Sequence, residues 1–236
     1  MTDPTASFFM VLPPGWARLP AREDDRSELA DTVREIVARA LPDHLPRDRA
    51  EPLRQEMRKR LLATVVEAGD SGATAVWMPV QPVDGFTPPV SIIEAEVDDE
   101  SEEAPEQVIA QVLADALPDR HDDEDPGIRE VDGGIAARTE TVVRGADPAA
   151  ALPGPADGLP VVDDRRVVWT IPVPHRPGRW VVLSFSAISL PDADERLTDA
   201  LVGLFDAMLT TFRWTDVPGA EPTTLERRLA ELGGAA

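Results

Sequence analysis

Between Val167 and Phe212 the chain reads as a β-hairpin running directly into a long amphipathic helix. This constrains the fold more than any other stretch. Val167-Val168-Trp169-Thr170-Ile171 and Trp180-Val181-Val182-Leu183-Ser184-Phe185 are β-branched and aromatic runs, the composition that suits a pleated, half-buried surface. Between them, Pro172 to Arg179 carries three prolines and a glycine, which neither a helix nor a central strand accepts. Beyond the hairpin, Leu197, Leu201, Leu204, Met208 and Phe212 recur at helical spacing, broadened by Val202, Phe205 and Leu209. A helix from about Ala193 to Thr211 with so wide an apolar face is expected to be mostly buried. Asp192 with Glu195 has the spacing of a capping box, Asp standing in the Ser/Thr place.

The rest of the chain alternates strand pairs with helices. Phe8 to Leu12 reads as a first strand, stopped by Pro13-Pro14-Gly15 and resumed by Trp16 to Leu19. Leu29, Val33, Ile36, Val37, Ala40 and Leu41 share one helical stripe, with Asp25 or Ser27 as its cap and Pro42 as its stop. A second helix is expected to start near Pro52, to carry Leu53, Met57, Leu61, Val65 and Ala68 on one face, and to close at Gly69. Two helices joined by so short a segment predict an αα-hairpin packed on a sheet.

Ala73 to Val80 and Val90 to Val97 read as an antiparallel strand pair. The acidic run Asp98 to Glu103 opens a helix with the stripe Val108, Ile109, Val112, Leu113, Ala116 and Leu117, because acidic groups favour the positive end of a helix dipole. Ile128 to Val131 and Ile135 to Val143 flank Asp132-Gly133-Gly134, a hairpin turn. Gly145 to Pro160 is a Pro/Gly-rich surface excursion, Arg213-Trp214-Thr215 a last short strand, and Glu221 to Leu232 a short tail helix. The expectation is an α+β fold, an antiparallel β-sheet flanked by helices, in one domain over residues 1–218 followed by a tail at 219–236.

Composition excludes several chemistries. The chain has 236 residues, 42% of them hydrophobic, and no cysteine. A core can therefore form, whereas disulfides, thiolate catalysis and zinc–thiolate or iron–sulfur sites are ruled out. A formal net charge of −21 argues against nucleic acid and anionic membrane surfaces as partners, since each phosphate contact wants a Lys or Arg. No stretch approaches the ~20 apolar residues of a membrane span, and the start has no secretory pattern. The sequence expectation is a cytoplasmic location.

The opening Leu12-Pro13-Pro14-Gly15-Trp16, the strand Trp180 to Phe185, and the closing Leu204-Phe205-Asp206-Ala207-Met208 and Phe212-Arg213-Trp214 resemble small actinobacterial proteins of the Mog1/PsbP-like fold. The resemblance touches both ends of the chain. It implies an α/β/α sandwich around an antiparallel sheet, in a family of binding and assembly factors without a common catalytic centre.

Candidate chemistry is sparse. The histidines are His44, His121 and His175, none with another His at ligand spacing. Asp119, His121, Asp123 and Asp125 make the best metal candidate by their alternate acidic spacing. The central Gly and terminal Glu of an EF-hand loop are not in register with them. Ser184, Ser186 and Ser189 stand outside any G-x-S-x-G elbow, and neither G-x-x-x-x-G-K-[ST] nor G-x-G-x-x-G occurs. The acidic balance is locally inverted at Arg47 to Arg60, where Arg54 and Arg58 share a helix face and could dock an acidic partner. At the hairpin tip His175, Arg179 and Trp180 offer a second contact surface, Trp being a frequent interface anchor.

From this the expected function is a non-catalytic protein-binding or assembly factor with no cofactor. It would act through a sheet edge, the hairpin tip or the arginine patch, and an unprotected strand edge would allow a homodimer. Two alternatives stand beside it. One is a divalent-metal or carboxylate-based enzyme using the loop 119–125. The other is an acidic mimic that binds a basic protein.

Overall fold

The computed structural model describes residues 7–40, 46–83, 85–99, 103–116, 125, 127–146, 161–191 and 193–216. These form strands β1 (Ser7–Phe9), β2 (Trp16–Pro20), β3 (Ala73–Pro79), β4 (Val90–Asp98), β5 (Ile128–Val131), β6 (Gly134–Ala146), β7 (Val162–Pro172), β8 (Arg179–Ser189) and β9 (Arg213–Asp216). The helices are α1 (Arg26–Ala40), α2 (Arg47–Asp70), α3 (Pro105–Ala116) and α4 (Glu195–Leu209). Seven strands make one antiparallel sheet in the order β2-β3-β4-β8-β7-β6-β5, and β1 pairs with β9 in a separate ribbon. The fold is α+β, as the sequence pattern predicts.

Side-chain alternation assigns the two faces of the sheet. In β8, Val181, Leu183, Phe185 and Ala187 pack with α4 residues Leu201, Val202, Phe205, Met208 and Leu209. The Phe185 and Phe205 rings stack at 4.8 Å. Trp180, one residue out of phase, points to the opposite face and packs with Ile109 and Leu113 of α3. Val97 pairs with Trp180, and Ile93, on the same side of β4, pairs with Val76, which lies under α1 and α2. One face thus carries α4 and the other carries the α1–α2 hairpin at one end and α3 at the other. The β1–β9 ribbon completes the α4 face, with Phe8 stacked on Phe212 at 4.6 Å and on Trp77 at 6.1 Å.

Four local expectations are corrected. The first strand lies in the ribbon instead of the main sheet, because Phe8 buries its ring against Phe212 and Trp214 while Phe9 stays exposed. Helix α2 begins at Arg47, five residues before Pro52. Helical pairing already begins at Ala50, whose amide donates to the Pro46 carbonyl, so Pro52 leaves out one helical hydrogen bond within the second turn of the helix. Gly69 lies inside α2, and a Cβ on it would sit 2.0 Å from the Ala21 carbonyl oxygen. The glycine thus permits a close crossing, while Gly72, at φ 98°, makes the turn beyond the helix. The cap of α4 is Asp194, whose side chain accepts from the Arg196 amide, and Asp192 lies outside the described residues.

The Asp132-Gly133 turn is as expected, with both residues at positive φ, 48° and 77°, the geometry of a type I′ hairpin turn. Of the excursion expected over 145–160, Gly145 and Ala146 belong to the end of β6, and residues 147–160, with the tail expected at 219–236, lie outside the described residues.

Candidate binding surface

The expected contact residues do not come together. Trp180 is only 4% exposed, because the register of β8 turns it under α3. It is a core residue and no surface anchor. Arg179, beside it, is held by Asp98 of β4 at 2.6 Å, and His175 sits exposed at the hairpin tip at φ 58°. Arg54 and Arg58 lie far off in sequence on the half-buried side of α2, continuing the line of buried Ala50 and Val65. Arg54 reaches Glu51 only at 3.9 Å, and the buried Arg58 Nε has no hydrogen-bond partner. Of the candidate metal ligands, Asp119, His121 and Asp123 lie outside the described residues. Asp125 is taken up by the Arg129 side chain and the Gly127 amide, which hold its carboxyl well below the usual range. Among the described residues no three His, Asp or Glu side chains are grouped to hold a metal.

A buried polar network centres on Glu94. Glu94 of β4 is 4% exposed and points to the α4 face with Ile92. Arg18 of β2 donates to both its oxygens, at 2.9 and 3.2 Å. Thr74 Oγ1 adds a bond of 2.9 Å and Trp77 Nε1 one of 2.7 Å. The Arg18 guanidinium lies over the Trp77 ring, 5.5 Å from its centroid. Burial works against the Arg18 charge, but the hydrogen bonds and attraction from Glu94 outweigh it and raise its pKa. Next to this pair, Arg22 donates to Glu96 at 2.8 Å. Burial, only partly offset by Arg22 and Arg179, pushes the Glu96 carboxyl above the usual range.

These groups line an open pocket of about 440 Å³ that also touches Ser7 and Phe8. Each Glu94 oxygen already accepts two hydrogen bonds, which fills its lone-pair sites. The site is built to hold a charge in place more than to move a proton. A signal for it did exist, since glutamates 94 and 96 continue the phase of Val90 and Ile92.

A second network lies at the α4 face of β6 and β7. Arg138 donates to Asp206 and Glu140 at 2.9 Å, Trp169 Nε1 to Asp206 at 3.2 Å, and Arg165 bridges Glu140 and Asp199. A pocket of about 280 Å³ between this network and the start of α4 is mostly polar. A third pocket, about 450 Å³ and apolar, runs between α1 and α2 above Val76 and Met78.

A further surface is the sheet face between α1–α2 and α3. The described helices leave β4, β8, β7 and β6 uncovered there. Three strand spacings of about 4.8 Å put β4 and β6 ~14 Å apart, room for one helix or an added pair of strands. On β4, Ile93 and Val97 are 42% and 44% exposed. Val182, Ser184 and Ser186 of β8 and Val168 of β7 are half-buried, and Thr141 of β6 is exposed. Near its centre Ser186 donates to Asp164 at 2.5 Å, and Arg166 donates to the other oxygen at 2.6 Å. Aliphatic and hydroxyl side chains mixed in this way suit a protein contact, with apolar area and no large unpaired charge.

No family model, no curated protein and no solved structure matches the chain. No described helix is long and apolar enough to cross a membrane.

Proposed function

We propose that the chain is a non-catalytic protein-binding or assembly module whose docking surface is the sheet face between the α1–α2 hairpin and α3. The observation that carries this reading is the exposure of Ile93 and Val97 at positions which, on the other face of the same strand, belong to buried Val90 and Ile92. Exposed apolar side chains grouped on a rigid floor and rimmed by hydroxyl groups mark interaction surfaces more than solvated ones. The charged clusters favour binding over chemistry as well, since the carboxylates of Glu94, Asp206 and Asp164 are each held by neighbouring donors. The resemblance of both ends to Mog1/PsbP-like binding and assembly factors supports the same reading.

The test is capture of partners from native lysate by the wild type, by Ile93→Arg/Val97→Arg, and by Leu53→Arg on the exposed side of α2. A partner kept by Leu53→Arg and lost by the double variant, with unchanged circular dichroism, is the expected result. A partner retained by the double variant refutes the assignment of this face.

A further inference from the structure

We propose that two copies of the chain pair edge to edge through β6, in antiparallel register about a twofold axis at Val142. Among the described residues, strand β5 covers the first part of β6, from Gly134 to Ala137, and the last hydrogen bond of this pairing is from the Arg138 amide to the Gly127 carbonyl at 2.7 Å. That bond shows which way the backbone faces. Alternation along an antiparallel strand then directs the N–H and C=O groups of Glu140 and Val142 outward, while those of Thr139, Thr141 and Val143 face β7, the register being regular as far as Val143. Among the described residues nothing pairs with the outward groups.

The two edges of the sheet differ in kind. The β2 edge is five residues long and ends in Pro20, a usual way of blunting an edge. The free part of β6 reads Thr139-Glu140-Thr141-Val142-Val143, rich in β-branched residues, with neither proline nor lysine. Val142 is 47% exposed and Val143 is exposed beside it. Such a run is a ready template for another strand.

Charge narrows the choice of register. Pairing about Val142 sets Glu140 of each copy opposite Arg144 of the other and Val142 opposite itself. Glu140 and Val142 face outward, so the central Val142 pair exchanges two backbone hydrogen bonds and is flanked on each side by a Glu140–Arg144 pair. Pairing about Glu140 or Arg144 would put like charges face to face, which is unfavourable on a sheet. Pairing about Thr141 would bring Arg144 level with Arg138. The chain geometry fits the same choice. In the Val142 register Ala146 of one copy comes level with Arg138 of the other, where Gly127 already binds. The irregularity between Val143 and Ala146, with Gly145 at φ 67°, ends the straight run before that point.

The interface is short, so its affinity belongs to the weak, reversible class. Repulsion between two chains of net charge −21 opposes it until salt screens them. Sedimentation equilibrium of the full chain, at up to about 100 μM and ~0.3 M salt, is expected to show a reversible dimer. Val142→Pro removes an outward N–H, which an edge position tolerates, and Val142→Lys puts two charges at the axis. Each is expected to lower the association constant at least tenfold. Because the chain has no cysteine, Val142→Cys supplies a single thiol and is expected to form a disulfide dimer in air, whereas Ile93→Cys is expected to form no disulfide dimer.

A monomer throughout the concentration range overturns the proposal, as does a dimer that both Val142→Pro and Val142→Lys leave intact. Cross-linking through Ile93→Cys in place of Val142→Cys also overturns it, by moving self-contact to the open face. If Val142→Pro does not fold by circular dichroism, the lysine and cysteine variants decide alone. The open-face reading stands or falls separately on the Ile93/Val97 variants.

Discussion

Replacing Arg18 by Met is predicted to destabilise the fold far more than an edge-strand arginine ordinarily would. Its partner Glu94 is 4% exposed and would be left with only the Thr74 hydroxyl and Trp77 indole as donors. Breaking a buried pair by removing one partner costs about 3–5 kcal/mol. Because the Arg18 side chain is 44% exposed, water can enter beside the carboxylate, and we place Arg18→Met at the lower end, about 3 kcal/mol. For a chain of this size that is a loss of ~6–12 °C in Tm. Glu94→Gln leaves a guanidinium that solvent can take up, and is expected to cost about 2 kcal/mol for the lost charge-assisted bonds.

The double variant is the decisive one. Once either partner is gone, loss of the other removes little more, so Arg18→Met/Glu94→Gln is expected at about 3 kcal/mol instead of the additive 5, a coupling of ~2 kcal/mol. Urea unfolding monitored by tryptophan fluorescence measures all three, and Trp77 within the network reports local change. Additivity to within about 0.5 kcal/mol would show that Arg18 and Glu94 act independently, and would refute the reasoning.

Two further outcomes follow from the same physics. Phe205→Ala removes a fully buried ring stacked on Phe185 and is expected to cost about 3–5 kcal/mol, read as a drop in Tm by calorimetry. Glu96 carries a folded-state pKa above its ordinary 4.5 because it is partly buried. Its contribution to stability is therefore present below that value and lost as pH rises through the folded one. Glu96→Gln is accordingly expected to equal or exceed the wild type in stability near neutral pH, the wild type gaining on it as pH falls toward 4.5. A wild-type advantage that grows with pH would contradict this.

The contrast between Trp169 and Trp180 shows what periodicity can convey. Trp169 reads as core from its β-rich run, and it is core, with its indole N–H on Asp206. Trp180 reads as partly exposed from its place beside a Pro/Gly turn. Its fate depends on α3, a helix some seventy residues earlier, which covers that face at Ile109 and Leu113. Glu94 is a similar case. Alternation within β4 puts it in phase with Ile92, but only the pairing of β4 with β3 and of β3 with β2 brings Arg18, Trp77 and Thr74 around it. The uncovered face was illegible for the same reason, because an exposed aliphatic residue and a buried one look alike within a strand.

The sequence by itself determined the class of fold, the positions of most elements, the hairpin turn at Asp132-Gly133-Gly134 and the wide apolar face of α4. These are local properties, set by backbone preferences and side-chain period over a few residues. The strand pairs β3–β4, β5–β6 and β7–β8 were legible as well, whereas tertiary structure alone decided how these pairs join. The joining of β4 to β8 is the instance that matters most, since it fuses the β2-β3-β4 and β5-β6-β7-β8 meanders into one sheet. It also decided which face each helix covers, and so which charges are buried and paired and which aliphatic residues meet solvent. Burial of a side chain depends on chain segments distant in sequence, and no window along a single chain contains them.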